Sequence, residues 1–147
     1  MNSYKINTAS KAQIIQHFTE CEFTPRLESY LNLAHYSEKI LKNAVRFECW
    51  VNGSLAGLTA LYANDMATKR SFITMASVSS HYGGEGIGST LIKQAISYAI
   101  ENGFENISLE VFPTNIRAMK LYEKIGFRKV HTDGDKINME LVLEKND

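Results

Sequence analysis

The chain has 147 residues, of which 44% are hydrophobic, enough to bury a core without disulfides or a structural metal. Its 16 basic and 16 acidic side chains balance, and no basic block with interleaved aromatics occurs, which argues against a nucleic-acid partner. No apolar run has the length of a signal peptide or of a membrane span, so we expect a cytoplasmic protein without a membrane partner. One domain over residues 1–147 is predicted, and the unpaired spacing of Cys21 and Cys49 favours reduced thiols.

The N-terminal part of the chain predicts one strand and two helices. Residues 4–7 have strand character, and Ser10 can cap a helix that carries an apolar face. Turn chemistry at Thr24-Pro25 is followed by a second helix from about Asn32, again with apolar residues at helical spacing.

Three strands and a glycine turn come next. The segments RFECWV and LAGLTALY are rich in β-forming residues and flank Asn52-Gly53, which is a typical hairpin turn. The segment SFITMASV predicts a third strand. The glycine turn at residues 83–88 then leads into the helix STLIKQAISYAI, which ends at Asn102-Gly103.

The last part of the chain alternates strands and helices. ENISLEVF predicts a strand, after which Thr114 can cap the helix NIRAMKLYEKI and Gly126 can end it. Two further strands, residues 127–130 and 136–143, flank turn residues at 132–135. An antiparallel meander that leads into strand, helix, strand, helix and strand indicates a mixed α/β sheet.

The glycine turn has the chemistry of a phosphate site. Gly84, Gly86 and Gly88 alternate between a strand and a helix, where unpaired backbone N–H groups and the helix dipole favour an anion. Ser89 and Thr90 at the helix entry can add hydroxyl donors. The turn lacks the Lys-Ser/Thr pair of a P-loop and the glycine spacing of the dinucleotide fingerprint. By itself, such a turn is equally consistent with a plain connection between a strand and a helix.

Two segments together carry a more specific signal. VSSHYGGEGIGSTLI, followed by NIRAMKLYEKIGF, resembles motifs A and B of the GCN5-related N-acetyltransferase (GNAT) superfamily, with a specific likeness over residues 72–130. The resemblance implies an α/β (α+β) GNAT fold: a central mixed, mostly antiparallel sheet of six to seven strands, flanked by about four helices, with a splayed pair of parallel strands. The family usually has glutamine or arginine where this chain has Gly83, a departure that removes a side chain but leaves the backbone donors.

The resemblance also implies acetyl-CoA as the cosubstrate. Main-chain groups of Ala76 and Val78 would pair with the pantetheine arm between the splayed strands. Asn115 would orient pantetheine or substrate, and Tyr122 would lie near the thioester, although asparagine at a helix start is equally typical of a cap. The pyrophosphate would lie on the glycine turn, whose candidate residues are Gly83, Gly84, Glu85, Gly86, Ile87, Gly88, Ser89 and Thr90. The four histidines lack metal-ligand spacing, so no metal is predicted.

Tyr122 and Glu110 are the candidate catalytic residues. A phenol with an ordinary pKa of about 10 can protonate a departing thiolate, whereas core packing is the alternative role for Tyr122. Glu110 lies in an otherwise apolar strand and is predicted to be partly buried, with a raised pKa that suits a base acting directly or through water. The alternative is a structural carboxylate. Arg117, Lys120 and Lys124 are interpreted as a solvent-exposed face, with contact to the adenosine phosphate as the alternative.

The acceptor is the least constrained feature. The mixed charge of the helical wall over residues 25–43 favours a small polar acceptor whose primary amine attacks directly in a ternary complex. A distant resemblance to acetyltransferases of bacterial surface-polysaccharide synthesis implies a nucleotide-linked amino sugar. The alternatives are a protein N-terminus, suggested by the LEV motif, a small amine or aminoglycoside, a longer acyl donor, and a non-catalytic acetyl-CoA-binding sensor or scaffold. A homodimer is left open. The wall carries Arg26, Glu28, Tyr30, His35, Tyr36 and Glu38.

Overall fold

The computed structural model describes residues 2–23 and 25–144, so Thr24 of the predicted Thr24-Pro25 turn lies outside the described residues. Within them, strands and helices follow one another in the order that the sequence predicts. The elements are β1 (Asn2–Ile6), α1 (Lys11–Thr19), α2 (Leu33–Asn43), β2 (Ala44–Val51), β3 (Ser54–Asp65), β4 (Arg70–Val78), α3 (Ile87–Glu101), β5 (Asn106–Val111), α4 (Ile116–Ile125), β6 (Arg128–Asp133) and β7 (Lys136–Val142). Short 3-10 turns, Leu27–Ser29 and Ser80–Tyr82, precede α2 and α3.

The strands form one sheet in the order β1-β2-β3-β4-β5-β7-β6. Each neighbouring pair is antiparallel except β4 and β5, which run parallel. The mixed, mostly antiparallel sheet with one parallel pair is therefore confirmed. Because parallel strands need a crossover, the chain returns from β4 to β5 through α3 on one face of the sheet.

Two helices cover each face of the sheet. On one face, Ile14 of α1 and Ile40 of α2 are fully buried in a cluster with sheet residues. On the other face, Leu91 of α3 and Tyr122 of α4 belong to a second cluster. None of the helices in the described part of the chain combines the length and the apolar composition that crossing a membrane requires.

Local sequence signals set most of the boundaries. Ser10 caps α1 in a capping box with Gln13. The Ser10 side chain accepts from the Gln13 N–H, and the Gln13 side-chain oxygen accepts from the Ser10 N–H. Asn52 and Gly53 both have positive φ and close the β2–β3 hairpin as predicted. The first strand begins at Asn2 rather than at residue 4, because its pairing with β2 extends to that residue.

The start of α4 requires a correction. Asn115, not Thr114, is the N-cap, and its side-chain oxygen accepts from the N–H of Ala118 at 3.3 Å. The helix begins at Ile116, so Thr114 lies one residue too early for capping. The other end matches the prediction, because Gly126 has a φ of 126° and ends the helix.

A bulge in β4 opens the sheet. Ile73 and Met75 each pair with a residue of β3, whereas Thr74 between them opposes none. On its other edge, β4 pairs with β5 as far as Ile73 opposite Leu109, and the pairing stops there although both strands continue. The two strands therefore splay from Thr74 onward, which confirms the expected splayed parallel pair.

A glycine in β3 allows α3 to lie close to the sheet. A Cβ atom added at Gly57 would be 2.6 Å from Cγ2 of Ile87 and 3.0 Å from Cδ1 of Leu91. Any side chain at position 57 would push against the first turn of α3. Gly57 thus helps to set the position of the glycine turn that precedes this helix.

Candidate functional site

Two cavities meet where β4 and β5 splay. The larger, here called the glycine-turn cavity, has a volume of about 540 Å³ and extends from the glycine turn to α4. The smaller, called the aromatic cavity, has a volume of about 210 Å³ and lies between β4, β5 and the segment before α2. Ala76, Asn115 and Tyr122 line both cavities. Molecules held in the two cavities would therefore meet at these three residues.

The glycine turn presents a row of free backbone donors. In the described part of the chain, no N–H group of residues 83–89 donates a hydrogen bond. Gly84 and Gly86 have φ angles of 80° and 77°, a left-handed conformation that strains residues with a side chain. Gly86 is also the N-cap of α3, so the free donors coincide with the positive end of the helix dipole. This arrangement suits an anion such as a pyrophosphate.

Nearly all of the predicted cofactor-binding residues surround the glycine-turn cavity. They are Ala76, Val78, Gly83, Gly84, Glu85, Gly86, Ile87, Gly88, Ser89, Asn115 and Tyr122. Thr90 does not line this cavity: its hydroxyl donates to the carbonyl of Gly86 at 3.0 Å, and its side chain lies in a separate groove beside β1. Arg117, interpreted from the sequence as solvent-exposed, lines the glycine-turn cavity and contributes a positive charge there.

Tyr122 is buried at the junction of the two cavities, with 8% of its surface exposed. Its ring packs edge to face on Phe127, with 6.0 Å between the ring centroids. Burial raises the pKa of Tyr122 to about 12, and no hydrogen bond within the described residues offsets this effect. The hydroxyl therefore stays protonated at neutral pH and can donate its proton to a group at the junction.

Glu110 and Asn115 lie beside this junction. Glu110 lines the aromatic cavity, but its side chain is exposed rather than partly buried as predicted, because it stands where the splayed strands leave the sheet open. Asn115 lines both cavities while its oxygen caps α4, so its amide nitrogen remains a donor. The cap and a ligand contact are thus compatible roles for this side chain.

The aromatic cavity is lined mostly by aromatic and aliphatic residues, although about half of its exposed surface is polar, and this lining replaces the expected mixed-charge wall. Among the predicted wall residues, Tyr30 and Tyr36 line it, whereas the charged ones lie elsewhere. Arg26 and Glu28 pair with each other, and Glu38 pairs with two lysines of α1 and α2. The apolar lining includes Phe23, Leu27, Leu31, Phe72, Met75 and Phe112.

Tyr36 of α2 holds the β4 bulge. Its hydroxyl donates to the carbonyl oxygen of Thr74 at 2.8 Å and lies 2.7 Å from the Thr74 hydroxyl. Because Thr74 has no partner on β5, this side-chain bond replaces strand pairing. Burial raises the pKa of Tyr36, and its ring stacks on Phe18 at 6.1 Å, so the hydroxyl is a fixed, protonated donor.

Lys136, the first residue of β7, closes one side of the aromatic cavity. Its Nζ lies 5.2 Å from the ring centroids of both Tyr30 and Phe112. The two rings meet edge to face, with 5.5 Å between their centroids. Cation–π attraction to two rings fixes the ammonium group in the wall of the cavity.

A buried cluster around His17 connects α1 to β4. The ring nitrogen Nδ1 lies 2.9 Å from the Leu55 carbonyl and Nε2 lies 2.8 Å from the Ser77 hydroxyl, so Nδ1 carries the proton. Burial lowers the pKa of His17 and raises the pKa of the adjacent Cys21 thiol to about 12. Cys21 and Cys49 are both free, as expected. Among the described residues, no group of three or more His, Cys, Asp or Glu side chains is arranged to hold a metal ion.

Sequence reasoning did not assign Gly57, Thr74 or Lys136 to the site. A lone glycine within a strand signals close approach of another segment, so the packing role of Gly57 had a usable signal. Thr74 and Lys136 had none, because a bulge and a contact between distant segments leave no local pattern.

Comparisons with known proteins agree with this geometry. A sequence profile of the acetyltransferase (GNAT) family matches residues 11–127. Human N-alpha-acetyltransferase 30 is 42% identical over 59 residues, or 40% of this chain and 16% of that protein. A probable spermine N(1)-acetyltransferase of Bacillus subtilis subsp. natto is 29% identical over 91 residues, or 59% of this chain and 60% of that protein.

A solved structure with a similar fold contains coenzyme A. It is the PaiA N-acetyltransferase of Thermoplasma acidophilum, with a TM-score of 0.79 and 20% identity over 95% of this chain and 99% of that one. At this identity the likeness concerns the fold alone. The matches to the two curated relatives span 16% and 60% of the lengths of those proteins.

Proposed function

The chain belongs to the GNAT family of acetyltransferases, and we propose that it transfers an acetyl group from acetyl-CoA to a primary amine. One observation carries this proposal: Tyr122, a buried and protonated phenol, stands at the junction of a cavity with free backbone donors and a cavity of acceptor size. Two molecules held in these cavities would meet at its hydroxyl. This supports direct attack in a ternary complex.

The residues around the glycine-turn cavity fit acetyl-CoA. The free N–H groups of residues 83–89 suit its pyrophosphate, and Arg117 offers a cation for a phosphate. The edge of β4 beyond Thr74 lacks a strand partner, so the main chain of Ala76 and Val78 is available to the pantetheine arm. Acetyl-CoA supplies a thioester, which a neutral amine can attack with release of a thiolate.

The chain's own residues then have two proton-transfer tasks. Tyr122 donates its proton to the departing sulfur and regains one from solvent. Burial raises its pKa to about 12, which keeps it protonated at neutral pH but makes it a weaker acid than an ordinary thiol, so the transfer requires that the same desolvated site also raises the pKa of the departing thiol. Glu110, at the open end of β5, accepts the proton that the attacking amine loses, directly or through water. Asn115 orients the two reactants through its free amide nitrogen.

The acceptor is a primary amine attached to a largely apolar body. The aromatic cavity offers one cationic side chain within the described residues, which is a poor match for the diphosphate of a nucleotide-linked amino sugar. A protein N-terminus is the second candidate, because the relatives include an N-alpha-acetyltransferase. Polyamines are the third candidate, because the relatives also include a probable spermine acetyltransferase.

The test measures release of free thiol from acetyl-CoA with a panel of amines: amino acids, aralkylamines, peptides, polyamines, aminoglycosides and an amino sugar nucleotide. For the preferred acceptor, Tyr122→Phe should lower kcat by roughly 100-fold or more, the usual contribution of a general acid. The Kd for acetyl-CoA should change by less than about 3-fold, because the ring remains in place.

Tyr98→Phe is the matched control. Tyr98 lies on α3 in the groove beside β1, away from both cavities, and its loss of a hydroxyl should leave kcat unchanged. Tight binding of acetyl-CoA without turnover of any amine would favour the sensor or scaffold alternative. Equal kcat in Tyr122→Phe and wild type would remove Tyr122 from the reaction.

A further inference from the structure

The aromatic cavity contains two opposite charges that lack ionic partners. Within the described part of the chain, Glu110 and Lys136 are its charged lining residues. Neither forms an ion pair with the other or with another described residue. Glu110 is exposed and Lys136 is half-buried, so both charges are accessible to a ligand in the cavity, and a ligand with complementary charges can pair with both.

Lys136 is held as part of the wall. Its ammonium group lies over both Tyr30 and Phe112, and these rings come from separate segments of the chain. Three segments therefore fix one positive charge at one side of the cavity, opposite in sign to Glu110. A second cation on the acceptor would be repelled there, whereas a carboxylate would be attracted.

We propose that the acceptor is a free amino acid with an apolar side chain, whose carboxylate binds Lys136 while its amine lies between Glu110 and Tyr122. This inference rests on the proposed function and names the substrate class of the same site. A cavity of about 210 Å³ suits a molecule of that size, and its apolar lining, including Leu27, suits the side chain. Lys136 is a specificity-determining residue, since it selects the acceptor without touching the reacting atoms.

The experiment compares leucine with 3-methylbutylamine, its decarboxylated analogue, and phenylalanine with phenethylamine. For each pair, kcat/KM is measured with wild type, Lys136→Met and the control Lys129→Met, whose residue lies on β6 outside the cavity. For each protein, kcat/KM for the amino acid is divided by kcat/KM for its decarboxylated analogue. Dividing the wild-type ratio by the variant ratio then cancels the different basicities of the two amines. We expect this double ratio to be about 10-fold or larger for Lys136→Met, a typical value for a charge-assisted contact, and near one for Lys129→Met.

A binding measurement separates this inference from the proposed function. Calorimetry with saturating coenzyme A should show leucine binding to wild type, and at least about 10-fold weaker binding to Lys136→Met, for the same loss of contact. This result supports the acceptor class even if no thiol is released. Lys136→Gln serves as a second variant if Lys136→Met does not fold.

Three results would overturn the proposal. One is a double ratio near one for Lys136→Met while the amines are turned over, which leaves the acetyltransferase function intact. Another is a wild-type preference for spermine or a peptide over leucine. The third is the absence of both binding and turnover for every amino acid tested.

Discussion

The two cavities use different parts of the polypeptide. The glycine-turn cavity presents its hydrogen-bonding groups mainly through the backbone: free N–H groups, two glycines at positive φ and the unpaired edge of β4. The aromatic cavity is formed by side chains from the segment before α2, from α2 itself, from β4 and β5, and from the start of β7. Recognition through the backbone tolerates changes of side chain but not of φ, whereas recognition through side chains changes with a single substitution.

This contrast teaches how one fold can keep a donor and change acceptors. The phosphate donors depend on the conformation of one short turn, and the acceptor cavity depends on which side chains meet across distant segments. This contrast would be wrong if adding a side chain at a position of normal φ in the turn weakened acetyl-CoA binding. It would also be wrong if substitutions in the aromatic cavity left acceptor recognition unchanged. Three substitutions address these points, in order of decreasing effect.

The largest effect is expected from Gly86→Ala. An L-residue at a φ of 77° carries a strain of about 1–2 kcal/mol, so alanine will shift the turn and misalign its N–H groups. We expect acetyl-CoA affinity to fall by roughly 10-fold, the equivalent of about 1.4 kcal/mol, measured by calorimetry. A parallel melting curve checks that the fold persists.

Gly83→Ala is the control for this substitution. Gly83 has a φ of −66°, and a Cβ atom there would have no heavy atom within 4 Å. Alanine should therefore leave the affinity for acetyl-CoA within about 2-fold of wild type, because the N–H donors keep their positions. Equal losses in both variants would show that side-chain volume, not φ, limits this turn.

The same contrast explains what the sequence could predict. The glycine turn, α3 and α4 are contiguous and carry local signals, so Gly84 and Gly86 could be assigned before the fold was known. The acceptor wall required knowledge of which way each side chain faces after the 3-10 turn. Arg26 and Glu28 pair with each other outside the aromatic cavity, so their charges misled the prediction.

Two further differences between the predictions and the structure have equally local causes. Glu110 was expected to be partly buried because it interrupts an apolar strand, but the sheet is open at that point. Thr90 follows Ser89 directly, yet a step of one residue along a helix turns the side chain by roughly 100°, which brings Thr90 to another groove. Lys136 meets Tyr30 across more than a hundred residues of sequence, a contact that no periodicity predicts.

The next largest effect concerns the aromatic cavity, which is formed by side chains. Tyr36→Phe removes the donor to the Thr74 carbonyl, so we expect a loss of about 1 kcal/mol in the free energy of unfolding. For a chain of this length, this equals a fall in Tm of roughly 2–4 °C. Because Thr74 lines the aromatic cavity, the KM for the acceptor should rise while the Kd for acetyl-CoA stays constant.

Tyr62→Phe is the matched control. The Tyr62 hydroxyl is buried near Thr74 but makes no hydrogen bond of normal geometry within the described residues, so its removal should leave the Tm unchanged or slightly higher. If Tyr36→Phe changed the Kd for acetyl-CoA as much as the KM for the acceptor, the two cavities would not be separable at the bulge.

The smallest effect tests a contact between the segment that leads to the aromatic cavity and the wall of the glycine-turn cavity. His17 joins α1, which leads to the aromatic cavity, to Ser77 in the wall of the glycine-turn cavity. Burial lowers its pKa, against opposing effects of the Leu55 carbonyl and the Glu20 carboxylate, so the folded protein binds fewer protons than the unfolded chain below about pH 6.5. The free energy of unfolding must therefore decrease as the pH is lowered, by at most about 1.4 kcal/mol per pH unit for this one proton.

Melting curves from pH 7.5 to 5.0 isolate this effect. The exposed carboxyls with lowered pKa, Glu28 and Asp65, lose most of their contribution only as the pH falls below their reference pKa values of 4.5 and 3.8, which lie outside this range. His17→Gln should lower the Tm at pH 7.5 but reduce its slope over this range, whereas His131→Gln on β6 should keep the wild-type slope. A wild-type slope in His17→Gln would mean that other groups cause the acid sensitivity. A reduced slope would mean that protonation of one buried side chain strains the contact between α1 and β4, which lies behind Ser77 in the wall of the glycine-turn cavity.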